Sequence, residues 1–495
     1  MALEESIARA RAAFSASWRW LCLVLIGAIS QLLYLYFFLK PYPLLRLYAI
    51  PLLDLGKITG YSHAAARDFI LVFLLLFALS YAAHVLCRGR SSSWGLLLVL
   101  LVAFLCGLTL LLVYPITAAD IFEYIAYARV TVHHGLNPHL YRPMDFPDDP
   151  LMRYSAWPHI TSPYGPVWTC LSTAIGVLSG SSLLTYLLLF KGLALVVHLL
   201  NSALIYATLS HWRPAYALSG AVFYAWNPLV LYESAAGGHN DGLAVFFVLL
   251  AIYLYVRGQF TSAIPAATLA CLVKMPMAIV VPLFVVGAWR ALAGERDRLR
   301  TVVAGVTMAV ALVVLLHAPW WEGWRSLGWL ARENLFTSSF ATLAVLTLQR
   351  WVEDAELSRG LVRNAVLGLF GLFYVWRLVR LRGETRQFLE GLYWTVFVFL
   401  CIAVLWFQPW YVVWLVALGA IVASEGIARL TTLFSYTATW NYVVYIFLLL
   451  WYYPLMTAGN GLVVNLASVL IIFVAPLAYA AYLLARGWLS PAVEG

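Results

Sequence analysis

The sequence predicts an all-α, polytopic integral membrane protein. Of its 495 residues, 63% are hydrophobic and only 11% are charged, whereas soluble domains carry about 25% charged residues. The apolar residues are also grouped into long runs, and a helix of about 20 apolar residues is enough to cross a bilayer. No repeat and no appended soluble domain is visible, so residues 1–495 are expected to form a single membrane domain.

The apolar runs place the membrane segments in order along the chain. Spans are predicted near 18–40, 68–87, 93–113, 183–208, 214–232, 241–256, 301–318, 360–378, 389–407, 409–424, 435–455 and 462–485. A further apolar stretch, 261–289, is interrupted by Lys274 and Pro276. Because proline breaks a helix, and a straight helix would bury the lysine at its midpoint, two half-helices meeting at VKMP are favoured over one helix. The total is then about 12–14 membrane segments.

The distribution of arginine predicts the orientation of these segments in the cell membrane. When both termini lie in the cytoplasm, the shorter cytoplasmic loops hold most of the arginine residues, as the positive-inside rule requires. The net charge of +9 is therefore attributed to topology, and nucleic acid is not an expected partner. Two hydrophilic segments, 114–182 and 319–359, then face the outside. The apolar sequence 165–180 is too short for a span and is expected to form a helix in the outer interface.

The first outer segment opens with two acidic residues, Asp120 and Glu123, just beyond the end of a span. Three residues apart, they face the same way if this part of the loop is helical. In one interpretation, Asp120 merely caps a helix that begins at Ile121. The other is a catalytic role, which HHGLNPHLYRP and ITSPYGPVW in the same loop favour because their glycines and prolines fix a defined backbone.

A second polar group interrupts two spans at their outer junction, in the sequence ESAAGGHNDG (233–242). Polar side chains this close to hydrocarbon are costly unless they pair or face a cavity. His239, Asn240 and Asp241 are therefore candidates for the lining of an outward-facing cavity. The alternative is a tight hairpin in which Asn240 or Asp241 caps the second helix.

Two lysines lie inside apolar stretches, where an ammonium group is rare and usually functional. At the outer apex of the predicted half-helix pair, Lys274 would meet the phosphate of a lipid; in the alternative it extends to the lipid headgroups. Lys191, early in its span, carries the same argument more weakly. In the sequence QPWYVVW, Trp410 and Tyr411 are either part of an interfacial aromatic belt or an aromatic wall for a sugar or prenyl chain.

The sequence provides no basis for a metal ion, a nucleotide or another cofactor. The six cysteines have no paired spacing, and no two histidines are spaced to bind zinc from one helix face. P-loop and dinucleotide-binding motifs are absent. Because a site on the outer face also has no supply of nucleotide sugars, we expect no cofactor and a donor that arrives through the membrane.

The order of these motifs resembles that of the GT-C glycosyltransferases. AADIFEYIAY, HGLNPHLY and SPYGPVW in the first loop are followed by WNPLVLYESAAGGHNDGL, CLVKMPMAIVVPLF and QPWYVVW. Within that superfamily the chain resembles the polyprenol-phosphate-mannose-dependent mannosyltransferases, in particular the actinobacterial α-(1→6)-mannosyltransferases of lipomannan and lipoarabinomannan synthesis. The resemblance covers roughly residues 93–485 and leaves the two spans within 1–92 as additions.

This resemblance implies a reaction and a site. It implies that mannose moves from a polyprenyl phosphate to a hydroxyl of a glycan or glycolipid at the extracytoplasmic face, with inversion, forming an α-(1→6) mannoside. Asp120 or Glu123 would be the catalytic base within a catalytic loop at 114–182, and Lys274, with Lys191 as a second candidate, would bind the donor phosphate. The residues implied to bind the sugar or the acceptor are His239, Asn240, Asp241, Asn137, Tyr164, Tyr124, Trp410 and Tyr411.

Two other functions stay open at this stage. The first is transfer of another sugar, such as arabinose or glucose, from a polyprenyl phosphate; the second is transport of a lipid-linked saccharide across the membrane. Transporters usually show internal repeats with paired broken helices, and no such repeat is visible. The sequence does not determine the acceptor, the number of sugars added, the choice between Asp120 and Glu123 or the oligomeric state.

Overall fold

The computed structural model describes residues 2–330, 335–451 and 461–487, with side chains described from residue 18 onward. Helices make up 78% of the structure, and the described parts contain no strand. The α-helices, numbered α1 to α21 in chain order, are Ala2–Tyr34, Leu44–Leu47, Leu55–Thr59, His63–Leu86, Ser93–Leu111, Asp120–Val132, Pro166–Ser179, Leu183–Trp212, Ala217–Ala225, Pro228–Leu231, Asp241–Val256, Phe260–Val273, Val281–Ala291, Glu295–His317, Phe340–Leu348, Ala355–Arg380, Thr385–Val398, Val412–Val422, Glu425–Val443, Leu449–Trp451 and Gly461–Ala485.

The predicted all-α polytopic membrane fold is confirmed. Nine helical segments in the described residues are long and apolar enough to cross a membrane: Trp18–Leu39, His63–Leu86, Ser93–Leu111, Leu183–Trp212, Glu295–Trp320, Ala355–Arg380, Thr385–Ala403, Glu425–Trp451 and Gly461–Ala485. Five shorter apolar helices, Pro166–Ser179, Asp241–Val256, Phe260–Val273, Met275–Ala291 and Pro409–Val422, pack among them. The prediction for 241–256 has the same bounds as α11.

One predicted span is not a single helix. Residues 214–232 fold as a 3₁₀ turn followed by α9 and α10, with a change of direction at Asn227 and Pro228. Proline has no N–H to continue a helix, and the Asn227 side chain accepts hydrogen bonds from the backbone N–H groups of Leu229 and Val230 at 3.1 and 3.2 Å. This asparagine therefore starts a new helix where the hydropathy alone suggested a continuous one.

The apolar stretch over 261–289 is broken at the lysine, as predicted. Helix α12 ends at Val273, Lys274 is extended with φ −147° and ψ 112°, and residues Met275–Val280 form a 3₁₀ segment before α13 begins. Because Pro276 has no N–H and disfavours helical geometry at the residue before it, the chain leaves the α conformation at this point. The break places Lys274 at the end of a half-helix instead of at the middle of a span.

A buried ion pair fixes the first loop beneath α6. Arg129 Nε lies 2.8 and 2.6 Å from the two carboxylate oxygens of Asp149, and His134 Nε2 lies 3.1 Å from one of them. The side chains of Arg129 and Asp149 are only 2% and 0% exposed. Since removing one member of a buried pair leaves an uncompensated charge, this contact holds the loop from His133 to Pro150 in place.

Replacing Arg129 with methionine should therefore destabilise the protein strongly. We expect the Arg129→Met variant to lose about 3–5 kcal/mol of stability, seen as a large fall in the midpoint of thermal unfolding in detergent. The matched control is Arg359→Met, which removes an exposed pair with Glu356 and should cost about 0–1 kcal/mol. Equal unfolding midpoints for the two variants would contradict this role of Arg129.

Candidate active site

A cavity of about 700 Å³ lies where the first loop, the broken segment around Lys274 and the later helices meet. Its polar end is formed by α6 and the following loop, and its apolar end lies between α16 and the end of α17. The residues that line it are Asp120, Glu123, Tyr127, Arg142, Trp157, His159, Ile160, Thr161, Pro163, Tyr164, Lys274, Met275, Pro276, Ala278, Ile279, Gly328, Leu335, Leu367, Phe370, Phe399, Ala403, Val404, Leu405, Trp406, Trp410, Tyr411 and Trp414.

Asp120 lies at the polar end of this cavity, on the first residue of α6. The N-cap of α6 is Ala119, and no side chain caps the helix, so the interpretation of Asp120 as a helix cap is wrong. The hydroxyl of Tyr164 donates a hydrogen bond to Asp120 Oδ1 at 3.3 Å. Tyr164 is 44 positions away in the sequence. Its hydrogen bond orients the Asp120 carboxylate, which remains part of the cavity wall.

Glu123 is one turn further along α6, and its carboxylate holds a segment of the loop. It accepts hydrogen bonds from Ser155 Oγ at 2.7 Å and from the backbone N–H groups of Ala156 and Trp157 at 2.5 and 2.9 Å. Glu123 is 4% exposed. With three donors directed at it, this carboxylate is already engaged in holding the loop, whereas Asp120 has the hydroxyl of Tyr164 as its partner.

The pKa values of both carboxylic acids are raised. Burial raises the pKa of Asp120 to about 6, although the positive charge of Lys274 opposes this shift and the negative charge of Asp241 adds to it. Burial likewise raises the pKa of Glu123 to about 7, against the hydrogen bonds from Ser155 and from the two backbone N–H groups. An acidic residue with a pKa nearer neutrality is a better proton acceptor at the operating pH.

Lys274 is buried against a carboxylate partner. Its Nζ lies 2.7 Å from Asp241 Oδ2, and Trp414 Nε1 donates to the other oxygen, Oδ1, at 2.7 Å. The ring centroid of Tyr411 lies 5.2 Å from the same ammonium group. With a side chain 3% exposed, Lys274 does not extend to the headgroups, and Asp241 neutralises it.

Gly165 connects the first loop to the end of α12. Its N–H donates to the carbonyl oxygen of Val273 at 3.1 Å, and a Cβ atom at this position would lie 2.1 Å from the carbonyl oxygen of Leu272. Only glycine allows so close an approach of two backbones. Because Tyr164 precedes this glycine and Lys274 follows Val273, the contact places the partner of Asp120 beside the ammonium group.

His239 and Asn240 lie behind the aromatic wall of the cavity. The ring of His239 stacks on Trp410 with centroids 4.4 Å apart, and its Nε2 lies 3.3 Å from Glu233 Oε2. Glu233 in turn accepts a hydrogen bond from Tyr442 at 2.6 Å. Asn240 is the N-cap of α11, but its side chain makes no cap hydrogen bond. Neither His239 nor Asn240 lines the cavity, whereas Trp410 does.

Three other candidates from the sequence also lie outside the lining of the cavity. Lys191 is fully buried and donates a hydrogen bond to the carbonyl oxygen of Val113. The side-chain amide of Asn137 donates to the carbonyl oxygen of Trp320 at 2.7 Å. Tyr124 is 1% exposed and packs in the core beneath α6. The structure thus brings Asp120, Glu123, Tyr164, Lys274, Trp410 and Tyr411 to one cavity. It leaves out these three as well as His239, Asn240 and Asp241, of which Asp241 pairs with Lys274.

Several lining residues are not singled out by the sequence. Arg142, Trp157 and His159 line the polar end, and Phe370 and Phe399 line the apolar end. For Arg142, Trp157 and His159, the only signal in the sequence is that they lie in the same loop as the motifs that contain glycine and proline. No comparable signal exists for the two phenylalanines, because an apolar residue in a span has the same appearance whether it faces lipid, core or cavity.

The groups at the polar end suit a reaction in which a proton is accepted and an anion is stabilised. The described residues include no group of three or more histidine, cysteine, aspartate or glutamate side chains placed to hold a metal ion. Asp120 offers a carboxylate of raised pKa, and Lys274 offers a positive charge within the same cavity. A base and a cation in one cavity can deprotonate a hydroxyl and stabilise a departing anion.

Comparison with known proteins relates the chain to glycosyltransferases. A family model described as "Alpha-(1->6)-mannopyranosyltransferase, N-terminal domain" matches residues 51–291, a range that includes Asp120, Asp241 and Lys274. Alpha-(1->6)-mannopyranosyltransferase A of Mycobacterium tuberculosis is 27% identical over 369 residues, which are 68% of this chain and 67% of that protein.

Two proteins of Corynebacterium glutamicum are also similar to this chain. Alpha-(1->6)-mannopyranosyltransferase A of that organism is 23% identical over 335 residues, 61% of this chain and 66% of that protein. Alpha-(1->6)-mannopyranosyltransferase B is 27% identical over 155 residues, 30% of this chain and 25% of that protein. The chain therefore matches about two thirds of the length of the two A-type relatives and a quarter of the B-type protein.

Proposed function

We propose that this chain transfers mannose from a polyprenyl phosphate to a hydroxyl of a glycan or glycolipid. The premise is that it is a multi-pass membrane glycosyltransferase homologous to the α-(1→6)-mannopyranosyltransferases. The observation that carries the proposal is the divided cavity, which has Asp120 and Lys274 at one end and apolar side chains at the other. A polyprenyl-phosphate sugar has the same division, because its sugar and phosphate are polar and its chain is apolar.

In the proposed reaction, Asp120 is the base. A hydroxyl oxygen of the acceptor attacks the anomeric carbon of the mannose, and Asp120 accepts the proton that this oxygen loses. The bond between the anomeric carbon and the phosphate oxygen breaks on the opposite face, so the configuration inverts and a β-linked donor gives an α-linked product. Tyr164 supports this role by orienting the Asp120 carboxylate through its hydrogen bond at 3.3 Å.

Lys274 stabilises the departing polyprenyl phosphate. An ammonium group has three N–H donors. In Lys274 one donates to Asp241 at 2.7 Å, which leaves two for phosphate oxygens in the cavity that this residue lines. Because the leaving group departs as a phosphate anion, it needs a positive charge and no proton. Asp241 orients the ammonium group when no donor is bound.

The apolar end of the cavity fits the prenyl chain. Leu367 and Phe370 from α16 face Phe399 and Val404 from the segment after α17, and α16 is mostly exposed on its membrane side. A chain in this position stays in the hydrocarbon while its phosphate lies beside Lys274. The orientation expected from the arginine distribution then puts the reaction at the extracytoplasmic face.

Substitution of the two acidic residues separates their roles. We expect Asp120→Asn to lower kcat by about 10²–10⁴-fold, the usual contribution of a general base, with an unchanged thermal unfolding midpoint. Glu123→Gln should lower the unfolding midpoint, because its amide places N–H groups against the three donors from residues 155–157, and should retain measurable transfer. The assay is transfer from labelled polyprenyl-phosphate mannose to a mannoside acceptor, with polyprenyl-phosphate glucose as the control donor.

The opposite pattern would assign the base to Glu123. An Asp120→Asn variant that transfers mannose at the wild-type rate, beside a stable but inactive Glu123→Gln variant, would overturn the proposed role of Asp120. Transfer of glucose as efficient as that of mannose would contradict the proposed donor.

The pH dependence of transfer reports on the same residue. A base acts as the carboxylate, so with a pKa of about 6 for Asp120 kcat/KM should fall tenfold per unit as the pH drops below about 6. The donor phosphodiester does not titrate in this range, and an ordinary aspartate would keep the rate constant down to about pH 4. The acidic limb should persist in Glu123→Gln; its disappearance in that variant, or a flat profile to pH 5 in the wild type, would contradict the assignment.

A further inference from the structure

A second cavity, of about 640 Å³, lies between α16, α17 and α21. Helix α16 contributes Phe370 to the first cavity and the residues from Phe373 to Arg380 to the second, so the apolar parts of the two linings adjoin. At 1.5 Å per residue, Arg380 lies about 15 Å from Phe370 along the helix axis. The arginine distribution assigns this end of α16 to the cytoplasmic side, so the basic part of the second cavity lies towards the membrane surface opposite the proposed active site.

The second cavity is lined by an excess of positive charge. Four arginines line it, with only Glu384 and Glu390 as acidic residues. Arg386 pairs with Glu390 at 3.1 Å, and Glu384 accepts a hydrogen bond from Gln387 at 2.8 Å. The other three arginines, Arg377, Arg380 and Arg382, form no ion pair with a described residue.

Two residues that line this cavity carry a buried donor that has no acceptor. Nε of Arg377 and Nε1 of Trp394 are both buried and have no hydrogen-bond partner among the described side chains and backbone groups. A buried N–H that lacks an acceptor is energetically unfavourable. Two such groups beside unpaired arginines indicate a place for an anionic ligand with several acceptor oxygens.

The loop that carries Arg382, just after the end of α16, is held in place by contacts from Tyr255 and Arg290. The hydroxyl of Tyr255 donates to the carbonyl oxygen of Gly383 at 2.8 Å, and Arg290 Nη1 donates to that of Leu381 at 2.8 Å. Both contacts fix the backbone on either side of Arg382. The cavity is therefore formed by positioned residues, and a ligand that enters it meets a defined arrangement of donors.

The cavity opens onto the apolar, membrane-facing side of α16. Phe373 and Trp376 line it together with Leu484 from α21, and the adjacent Leu372 and Val379 are 77% and 61% exposed. A phosphate in the cavity can therefore carry hydrocarbon chains that continue along this surface. A free phosphate ion would leave the apolar side of the cavity unfilled.

We propose that this second cavity binds the phosphate headgroup of an anionic membrane lipid. The phosphate would accept hydrogen bonds from Arg377 and Trp394 and pair with Arg380 and Arg382, and the acyl chains would pack against Trp376 and the exposed face of α16. Basic pockets between membrane helices at the cytoplasmic side bind anionic headgroups on the same physical basis. The proposal does not depend on the sugar or acceptor of the transferase reaction.

Native mass spectrometry of the full chain in detergent tests this proposal, with phosphatidylglycerol and phosphatidylcholine titrated separately. We expect phosphatidylglycerol to bind more tightly, and the Arg380→Gln/Arg382→Gln variant to weaken its binding about thirtyfold. This variant keeps the partly buried Arg377, so the fold should be retained, which an unchanged unfolding midpoint checks. The matched control is Arg350→Gln/Arg359→Gln, which removes two arginines near the opposite end of α16 and should leave lipid binding unchanged.

Three outcomes would overturn the proposal. They are equal affinity for the two lipids, equal weakening by the control variant, and displacement of the lipid by inorganic phosphate that binds as tightly as the lipid does. The third outcome would identify free phosphate as the ligand. None of these readouts depends on mannose transfer, so failure of the proposed enzymatic function would leave this result interpretable.

Discussion

The site depends on the burial of one ammonium group at the end of a membrane half-helix. Lys274 is 2% exposed, and a charge in such surroundings is tolerated only when it is paired and hydrogen-bonded. Asp241 provides the opposite charge at 2.7 Å, and Trp414 donates to its second oxygen. This contact requires three features at once: the helix break after Val273, the start of α11 at Asp241 and the position of α18.

The same constraint connects the remaining parts of the site. Because Gly165 contacts the backbone just before Lys274, the loop that carries Tyr164 cannot move independently of the lysine, and Tyr164 in turn contacts Asp120. Glu123 fixes residues 155–157 of the loop by accepting hydrogen bonds from all three. The proposed base and the proposed phosphate ligand, 154 residues apart in number, are thereby held in one cavity by short, buried contacts.

Much of the fold follows from the sequence, because run length and hydropathy largely fix where a helix crosses a membrane. Pro276 marks the break beside Lys274, whereas Asn227 and Pro228 interrupt a stretch that hydropathy alone made continuous. The pairing of Lys274 with Asp241 could not be predicted, since their 33-residue separation carries no local pattern. Lys191 also lies inside an apolar stretch, but its ammonium group meets the carbonyl oxygen of Val113 inside the core. Long-range packing decides which of two buried lysines reaches the cavity.

The most direct test is an experimental structure with a polyprenyl phosphate bound. A phosphate oxygen is expected about 2.7–3.2 Å from Lys274 Nζ, the usual range for such a hydrogen bond, with the prenyl chain between α16 and the segment after α17. Asp120 is expected to face the position of the departed sugar. A phosphate bound away from Lys274, with the ammonium group still enclosed by Asp241 and Tyr411, would contradict the role of Lys274 in binding the donor phosphate.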